Sequence, residues 1–520
     1  MTGLSDTPAW VADAVFYQIF PDRFAASLRV PKPGPLEPWD APPTYTGFKG
    51  GDLLGIVEHL DYLGELGISA LYLNPVFASA ANHRYHTYDY YRVDPLLGGD
   101  AALRELLDAA HGRGMRVVLD GVFNHSGRGF WPFHHVVENG IDSPYVDWFH
   151  VDKVGLRAGK ELRPYPSRED SRRMAEAQAQ GHRESDVTLK VLGYRAWWDL
   201  PALPKLNTDN PGMREHLMGA AEHWLRFGID GWRLDVPEEI DPGFWIEFRQ
   251  RCRAVNPDAY IVGEVWRERP QWVAGDTFDA LMNYPLAEAL LSFTAARHLD
   301  MKEVQTQHEY RESVAPIDGP AFASRLEHLM TMYRPDAIRA QLNLLGSHDT
   351  ARFLTLASRD TASLRLALLA TMTLPGAPCI YYGDEVGMQG RHDPDNRRAF
   401  PWDHAAWDEE LLEYCRVVIA LRHERPAMRH GEFRVLAAND GAVAYGRLAG
   451  DAGALVLLNA GDSPARLTVP TDGFGGAQLH PIKLASEPYP VFGGAADGRL
   501  DVEVAARSGA VLLAGMGADR

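Results

Sequence analysis

The chain has 520 residues, too many for one ordinary core and enough for two or three domains. Its formal net charge of −18 repels phosphate backbones, which excludes nucleic acid as a partner but is irrelevant to a neutral substrate such as a sugar polymer. No apolar run approaches the ~18 residues of a membrane helix. Residues 1–13 carry neither a basic start nor an apolar signal core, so a cytoplasmic protein with no membrane partner is expected. Cys252, Cys379 and Cys415 are far apart and fit no metal spacing or disulfide framework; they read as reduced core thiols.

Taken in chain order, short β-rich runs fall at 14–20, 70–73, 117–119, 231–234, 261–263, 280–282, 341–345 and 379–382. Helical patterns separate them. Leu53, Ile56, Val57, Leu60 and Leu63 share one helix face, as do Leu103, Leu106, Leu107 and Ala110, and then Met213, Leu217, Ala221, Trp224 and Leu225. This alternation predicts an α/β fold, a (β/α)₈ TIM barrel. An open doubly wound sheet is the nearest alternative, and the absence of a Gly-rich phosphate turn after the first run weighs against it. The connection from Ser126 to about Leu206 is charged, aromatic and too long for a structureless loop. It predicts a small domain inserted after the third strand, with 168–185 as a mobile or helical flap. After a helix pattern at 411–421, short runs at 433–437, 442–448, 454–459, 465–470 and 510–515 predict a C-terminal antiparallel β-sandwich. The expected division is a barrel from 1–125 and 207–430, an inserted domain at 126–206 and a sandwich at 431–520.

Polar residues sit where several predicted strands end: Asp120-Gly-Val-Phe-Asn-His125, Gly231-Trp-Arg-Leu-Asp235, Gly263-Glu264-Val-Trp266 and Ser347-His-Asp349. In a barrel these ends converge on one mouth. Glycoside hydrolysis needs one carboxylic acid to protonate the leaving oxygen and one carboxylate to attack or to activate water, about 5–5.5 Å apart for retention. Asp235 and Glu264, on adjacent strands, meet that need. Arg233 shares a strand face with Asp235 and is expected to keep it ionised. Burial beside Trp266 is expected to keep Glu264 protonated. Taken singly, each residue has an ordinary reading: a strand-end Asp caps or pairs, His125 is a satisfied loop histidine, Tyr85 and Trp266 pack, and Asp120 bonds the barrel rim. The agreement of four strand ends carries the case. The sequence contains no His-Glu-x-x-His, Walker, Gly-x-Ser-x-Gly or Cys-x-x-Cys pattern.

In this order the four segments resemble the signatures of the α-amylase family of glycoside hydrolases, over a match running from about Val15 to the C-terminus. The resemblance implies Asp235 as nucleophile, Glu264 as acid/base and Asp349 as the third carboxylate. It implies His125, Arg233 and His348 as glycone-binding residues, and Tyr85, in His83-Arg-Tyr-His-Thr87, as the tyrosine stacking on the reacting sugar. Leu203-Pro-Lys-Leu-Asn207, Tyr17-Gln-Ile-Phe-Pro-Asp-Arg-Phe24, Gly50-Gly-Asp-Leu53 and Asp279-Ala-Leu-Met-Asn-Tyr284 are similar to the neopullulanase, cyclomaltodextrinase and maltogenic amylase branch. In Asp393-Pro-Asp-Asn-Arg397-Arg398, Asp393 and Arg397 match residues that bind the next sugar along the glycone.

The sequence departs from the branch in three places. The barrel begins almost at once, without the N-terminal β-domain that helps the branch dimerise, so a more open cleft is expected. Ala25-Ala-Ser-Leu-Arg-Val30 replaces the branch's calcium loop and lacks hard oxygen ligands, so no metal or other cofactor is expected. Val236-Pro-Glu-Glu239 replaces Val-Ala-Asn-Glu where acceptor sugars bind. The expected activity is hydrolysis of α-1,4 bonds, with α-1,6 bonds open, in maltooligosaccharides, cyclodextrins, pullulan or starch. Rivals are an α-glucan transglycosylase or a maltose/trehalose isomerase using the same triad. A transporter-accessory protein ranks last, because such relatives lack the triad.

Overall fold

The computed structural model describes residues 7–179 and 186–515. Eight parallel strands build its centre: Phe16–Ile19, Ala70–Leu73, Arg116–Gly121, Gly231–Leu234, Tyr260–Gly263, Ala280–Leu281, Leu342–Leu344 and Ala377–Tyr381. Each pairs with its sequence neighbours, and the first pairs with both the second and the eighth. A parallel bridge from Met282 to Leu342 joins the sixth to the seventh and closes the barrel. All eight runs read from the sequence are therefore strands, and the TIM barrel is present.

Side-chain parity sorts the strands into two cores, because successive residues point to opposite faces. Phe16, Ala70, Tyr72, Val118, Tyr260, Val262, Leu342, Leu344 and Cys379 pack together inside the barrel. Tyr17, Leu71, Leu73, Val117, Leu119, Trp232, Leu234 and Ile261 point outward and pack against the helices. The helix Pro211–Phe227 shows how the connections are timed. Asn210 accepts from the backbone N–H of Gly212 and Met213, Pro211 takes the first helical position, and Gly228 ends the helix at φ 114°. Its buried face is the predicted one, Met213, Leu217, Ala221, Trp224 and Leu225. The predicted helix over 53–63 is instead two helices, Leu53–Glu58 and Leu60–Leu66, broken at His59.

The insertion after the third strand is largely helical, with helices Trp131–Asn139, Arg168–Ala179 and Asp186–Leu192. Isolated bridges from His125 to Lys205 and from Phe149 to Leu206 tie its ends together. The charged stretch read as a flap is helical to Ala179, and 180–185 lie outside the described residues. The C-terminal region forms a five-stranded and a three-stranded antiparallel sheet around Ala444, Leu455, Leu457, Val469, Val502 and Leu512. Five of its strands match the predicted runs; Leu479–Pro481, Val491–Ala496 and Arg499–Val504 were not expected. Cys252, Cys379 and Cys415 are free and buried. Among the described residues no helix is long and apolar enough to cross a membrane.

Candidate active site

The inward parity that fills the barrel with apolar side chains turns polar at its C-terminal end. Two residues beyond Phe16 stands Gln18, beyond Val118 stands Asp120, and beyond Val262 stands Glu264. Arg233 and Asp235 occupy the same parity on the fourth strand. At the barrel mouth, where such folds carry their sites, these side chains meet.

Arg233 is fully buried and binds three carboxylates. Its Nη1 donates to Asp120 Oδ1 at 2.7 Å and to Asp235 Oδ1 at 2.9 Å, and its Nη2 stands 3.0 Å from Glu264 Oε2. One guanidinium therefore spaces Asp235 and Glu264, which extend from adjacent strands paired through Leu234 and Gly263. Val236 N–H donates to Glu264 Oε2 at 3.0 Å and Trp266 Nε1 to Oε1 at 3.2 Å. Val236 holds φ 37°, a costly conformation for a β-branched residue, and this turn is what aims its N–H at Glu264. Trp266 is thus a hydrogen-bond donor to Glu264 as well as an apolar wall, with its ring stacked on Tyr284 at 3.6 Å.

A second chain of hydrogen bonds crosses the mouth. Gln18 Nε2 donates to His348 Nδ1 at 3.0 Å, which leaves the ring proton on Nε2, 2.6 Å from the Tyr85 hydroxyl. Tyr85 and Tyr72 hydroxyls both donate to Asp120 Oδ2 at 2.8 Å, and Asn74 donates to the Tyr85 oxygen at 3.1 Å. Tyr85 stays partly exposed and lies parallel to His348, with centroids 5.3 Å apart. Asp349 lies 3.2 Å from His348 Nε2 and 3.3 Å from Arg397 Nη2. Arg397 Nη1 is 3.0 Å from Asp393, and its Nε donates to the His348 carbonyl at 2.8 Å. His125 is buried, its ring 4.8 Å from that of Trp197, and its Nε2 has no hydrogen-bond partner.

Charge is unbalanced here. Asp120, Asp235, Glu264, Asp349 and Asp393 face Arg233 and Arg397. Burial pushes the Asp235 carboxyl well up, and Arg233 pulls against that without overcoming it. The sequence expectation that Arg233 keeps Asp235 ionised leaves out this desolvation. Burial, reinforced by the nearby Glu264 charge, raises Asp349 to about 7. Burial lowers His125 to about 3 and His348 well below the usual imidazole range, so both are neutral.

All ten residues singled out from the sequence (Asp235, Glu264, Asp349, Tyr85, His125, Arg233, Trp266, His348, Asp393 and Arg397) lie at this mouth. Gln18, Tyr72, Asn74 and Tyr284 were missed, although strand parity marks Gln18 and Tyr72. Asp120 is not a rim residue: it is 1% exposed and accepts from Arg233, Tyr72 and Tyr85. Among the described residues no group of three or more His, Cys, Asp or Glu side chains could hold a metal ion. Close to the 25–30 segment, the Lys32 ammonium reaches Asp52 Oδ2 at 3.0 Å and the Leu96 carbonyl at 2.6 Å.

A closed (β/α)₈ barrel with clustered carboxylates at its C-terminal mouth defines a class, the barrel glycoside hydrolases. The family model for the alpha-amylase catalytic domain matches residues 18–429, and the chain belongs to that family. It is 40% identical over 476 residues to a cyclomaltodextrinase of Geobacillus thermopakistaniensis, covering 91% of this chain and 73% of that one. The solved structure of Ttha1563 from Thermus thermophilus superposes with a TM-score of 0.86 at 46% identity, covering 98% of this chain and 100% of that one. A debranching enzyme from Nostoc punctiforme superposes with a TM-score of 0.84 at 43% identity, with the same coverage. The protein is thus a glycoside hydrolase of the cyclomaltodextrinase and neopullulanase branch.

Proposed function

We propose that the protein hydrolyses α-1,4-glucosidic bonds of maltooligosaccharides, cyclodextrins, pullulan or starch with retention of configuration, and that α-1,6 bonds are a second linkage open to the same cleft. The observation that carries this reading is the single buried guanidinium gripping Asp235 through Nη1 and Glu264 through Nη2. It sets two carboxylates side by side, as double displacement requires.

In the first step an Asp235 oxygen attacks the anomeric carbon, the bond from that carbon to the glycosidic oxygen breaks, and Glu264 delivers its proton to the leaving oxygen. In the second, Glu264 takes a proton from water, the resulting oxygen attacks the same carbon, and Asp235 leaves as carboxylate. Asp349 holds sugar hydroxyls, Asp393 and Arg397 serve the neighbouring sugar, and His348, His125, Arg233 and Tyr85 orient the reacting one. Trp266 fixes the Glu264 carboxyl. No cofactor enters either step. A cytoplasmic location belongs to the same reading, since three free buried thiols suit a reducing compartment; cell fractionation tests it.

The decisive measurement is a product time course from cyclodextrin, starch, pullulan, maltotriose, maltose and sucrose, followed by NMR before mutarotation. Initial α-anomer from α-glucans is expected. Initial β-anomer would remove Asp235 from its role, and conversion of maltose to an isomer without net hydrolysis would replace the hydrolase by an isomerase.

A further inference from the structure

An aromatic ladder leads out of the site through the inserted segment. The buried His125 ring stacks on Trp197, with centroids 4.8 Å apart and planes at 5°. Trp197 stacks on Trp198 at 5.0 Å and 20°. The outermost ring, Trp198, is 53% exposed, and Leu200 beside it is 46% exposed.

This exposure is built rather than incidental. Trp198 and Asp199 both adopt left-handed backbone, at φ 52° and 53°, where a non-glycine residue is strained. The strain is held in place from below. The Asp199 carboxylate, 5% exposed, accepts from Thr188 N at 2.9 Å and Thr188 Oγ1 at 3.0 Å, and Ala196 N donates to that same Oγ1 at 2.9 Å. Tyr194 donates to the Pro201 carbonyl at 2.6 Å. Bridges from Ala196 to Pro204 and from Lys205 to His125 fasten the loop to the third strand's end. A tryptophan present only to fill the core would be buried by a relaxed backbone. Here buried polar bonds hold a strained turn that sets one indole face toward solvent, in line with a site histidine whose Nε2 is buried and unpartnered.

We propose that Trp198 is a sugar-binding platform, on whose outer face a pyranose of the α-glucan chain stacks beyond the reacting unit. This rests on the α-glucan reading above and adds to it a residue that selects for chain length. The chemistry fits one occupant. The faces of a glucose ring are neutral and carry C–H groups, which pack on an indole, and an overall charge of −18 does not oppose a neutral chain. The ladder starts at His125, which in the α-glucan reading orients the reacting sugar, so a chain bound there can meet it.

The test compares kcat/KM on maltoheptaose with that on maltotriose for the intact protein, Trp198→Ala and Trp198→Tyr. The long-to-short ratio should fall about tenfold in the alanine variant, mostly through KM, and be largely restored by tyrosine, which keeps an aromatic face. In the Asp235→Asn protein, maltoheptaose should change tryptophan fluorescence, and adding Trp198→Ala should remove most of that change. An unaltered ratio overturns the inference, as does an equal ratio loss in the tyrosine variant. A concentration-dependent dimer in the intact protein that Trp198→Ala abolishes would assign the face to a second copy and also overturn it. The two readings fail separately. If the intact protein cleaves neither oligosaccharide, the α-glucan reading falls; if it cleaves both and the ratio ignores Trp198, only the platform falls.

Discussion

Replacing Arg233 with lysine tests how much of the chemistry depends on one planar cation. The guanidinium bonds Asp120 and Asp235 through Nη1 and reaches Glu264 through Nη2, with all four side chains at least nine-tenths buried. A lysine ammonium keeps the charge but is a single point on a flexible stem and cannot bridge as a fork does. At an effective dielectric of about 20, each such contact is worth roughly 5–6 kcal/mol gross, most of it offset by desolvation. The net loss is better taken as one charged hydrogen bond, about 1.5–3 kcal/mol, or roughly 10- to 150-fold in rate if it is felt in the transition state. The sign with pH follows from the same contacts. Arg233 opposes the rise that burial imposes on Asp235 and also lowers Asp349, so weakening it lets both rise further. A nucleophile must be ionised, so the acid limb of kcat/KM should move to higher pH in Arg233→Lys, with the deficit shrinking as pH increases. The assay is kcat/KM on a cyclodextrin across acid to alkaline pH, with melting temperatures at each point. A uniform loss at all pH values that tracks a lower melting temperature would reduce Arg233 to a structural residue. An unmoved acid limb would refute the electrostatic account.

Three further outcomes are expected. Asp235→Asn should lower kcat by several orders of magnitude while oligosaccharide binding persists in calorimetry, because an amide cannot form the glycosyl ester; near-normal turnover would sink the nucleophile assignment. Tyr85→Leu should cut kcat/KM by about tenfold or more through lost orientation and ring-face stabilisation. Tyr85→Phe keeps the ring but loses bonds to Asp120 and His348 and leaves the Asn74 donor unpaired, so it too should fall measurably; an unaltered kcat/KM in Tyr85→Leu would make Tyr85 a packing residue. A chelator should leave activity and melting temperature unchanged, whereas Lys32→Met should destabilise by about 1–3 kcal/mol, because Asp52 loses its cation; a chelator effect reversed by calcium would show a metal site.

How far the sequence carried depended on the range of the interactions involved. Barrel strands were legible because each is a short apolar run between helices of clear period, and its parity is local. The four polar strand ends were legible for the same reason. The hydrogen-bond chain from Gln18 through His348 and Tyr85 to Asp120 was not, since it joins residues 330, 263 and 35 positions apart. Asp120 alone looked like a rim carboxylate; only the convergence of Tyr72, Tyr85 and Arg233 shows its place. In the insertion, turns and side-chain bonds rather than periodicity set the structure, so the Trp197–Trp198 ladder was invisible. Two of the three missed C-terminal strands differ in kind. Arg499–Val504 alternates polar and apolar residues and could have been read, whereas Gly493 and Gly494 obscure Val491–Ala496.

The excess of carboxylates over cations at the mouth gives the site its chemistry. In such a cluster each added negative charge raises the cost of the next. Burial first, and the neighbouring carboxylate charges after it, raise the Asp235 carboxyl and bring that of Asp349 to about 7. A double displacement needs one ionised carboxylate and one protonated acid in the same cleft, exchanging that proton during the cycle. A site balanced one cation to one anion would fix every carboxylate as an anion and leave no proton to donate. An apolar site would protonate all of them and leave no nucleophile. In the proposed double displacement, a single guanidinium between Asp235 and Glu264 with few other cations nearby favours one protonated acid beside one carboxylate. A substrate that expels water and brings a glycosidic oxygen near Glu264 then determines where that proton goes.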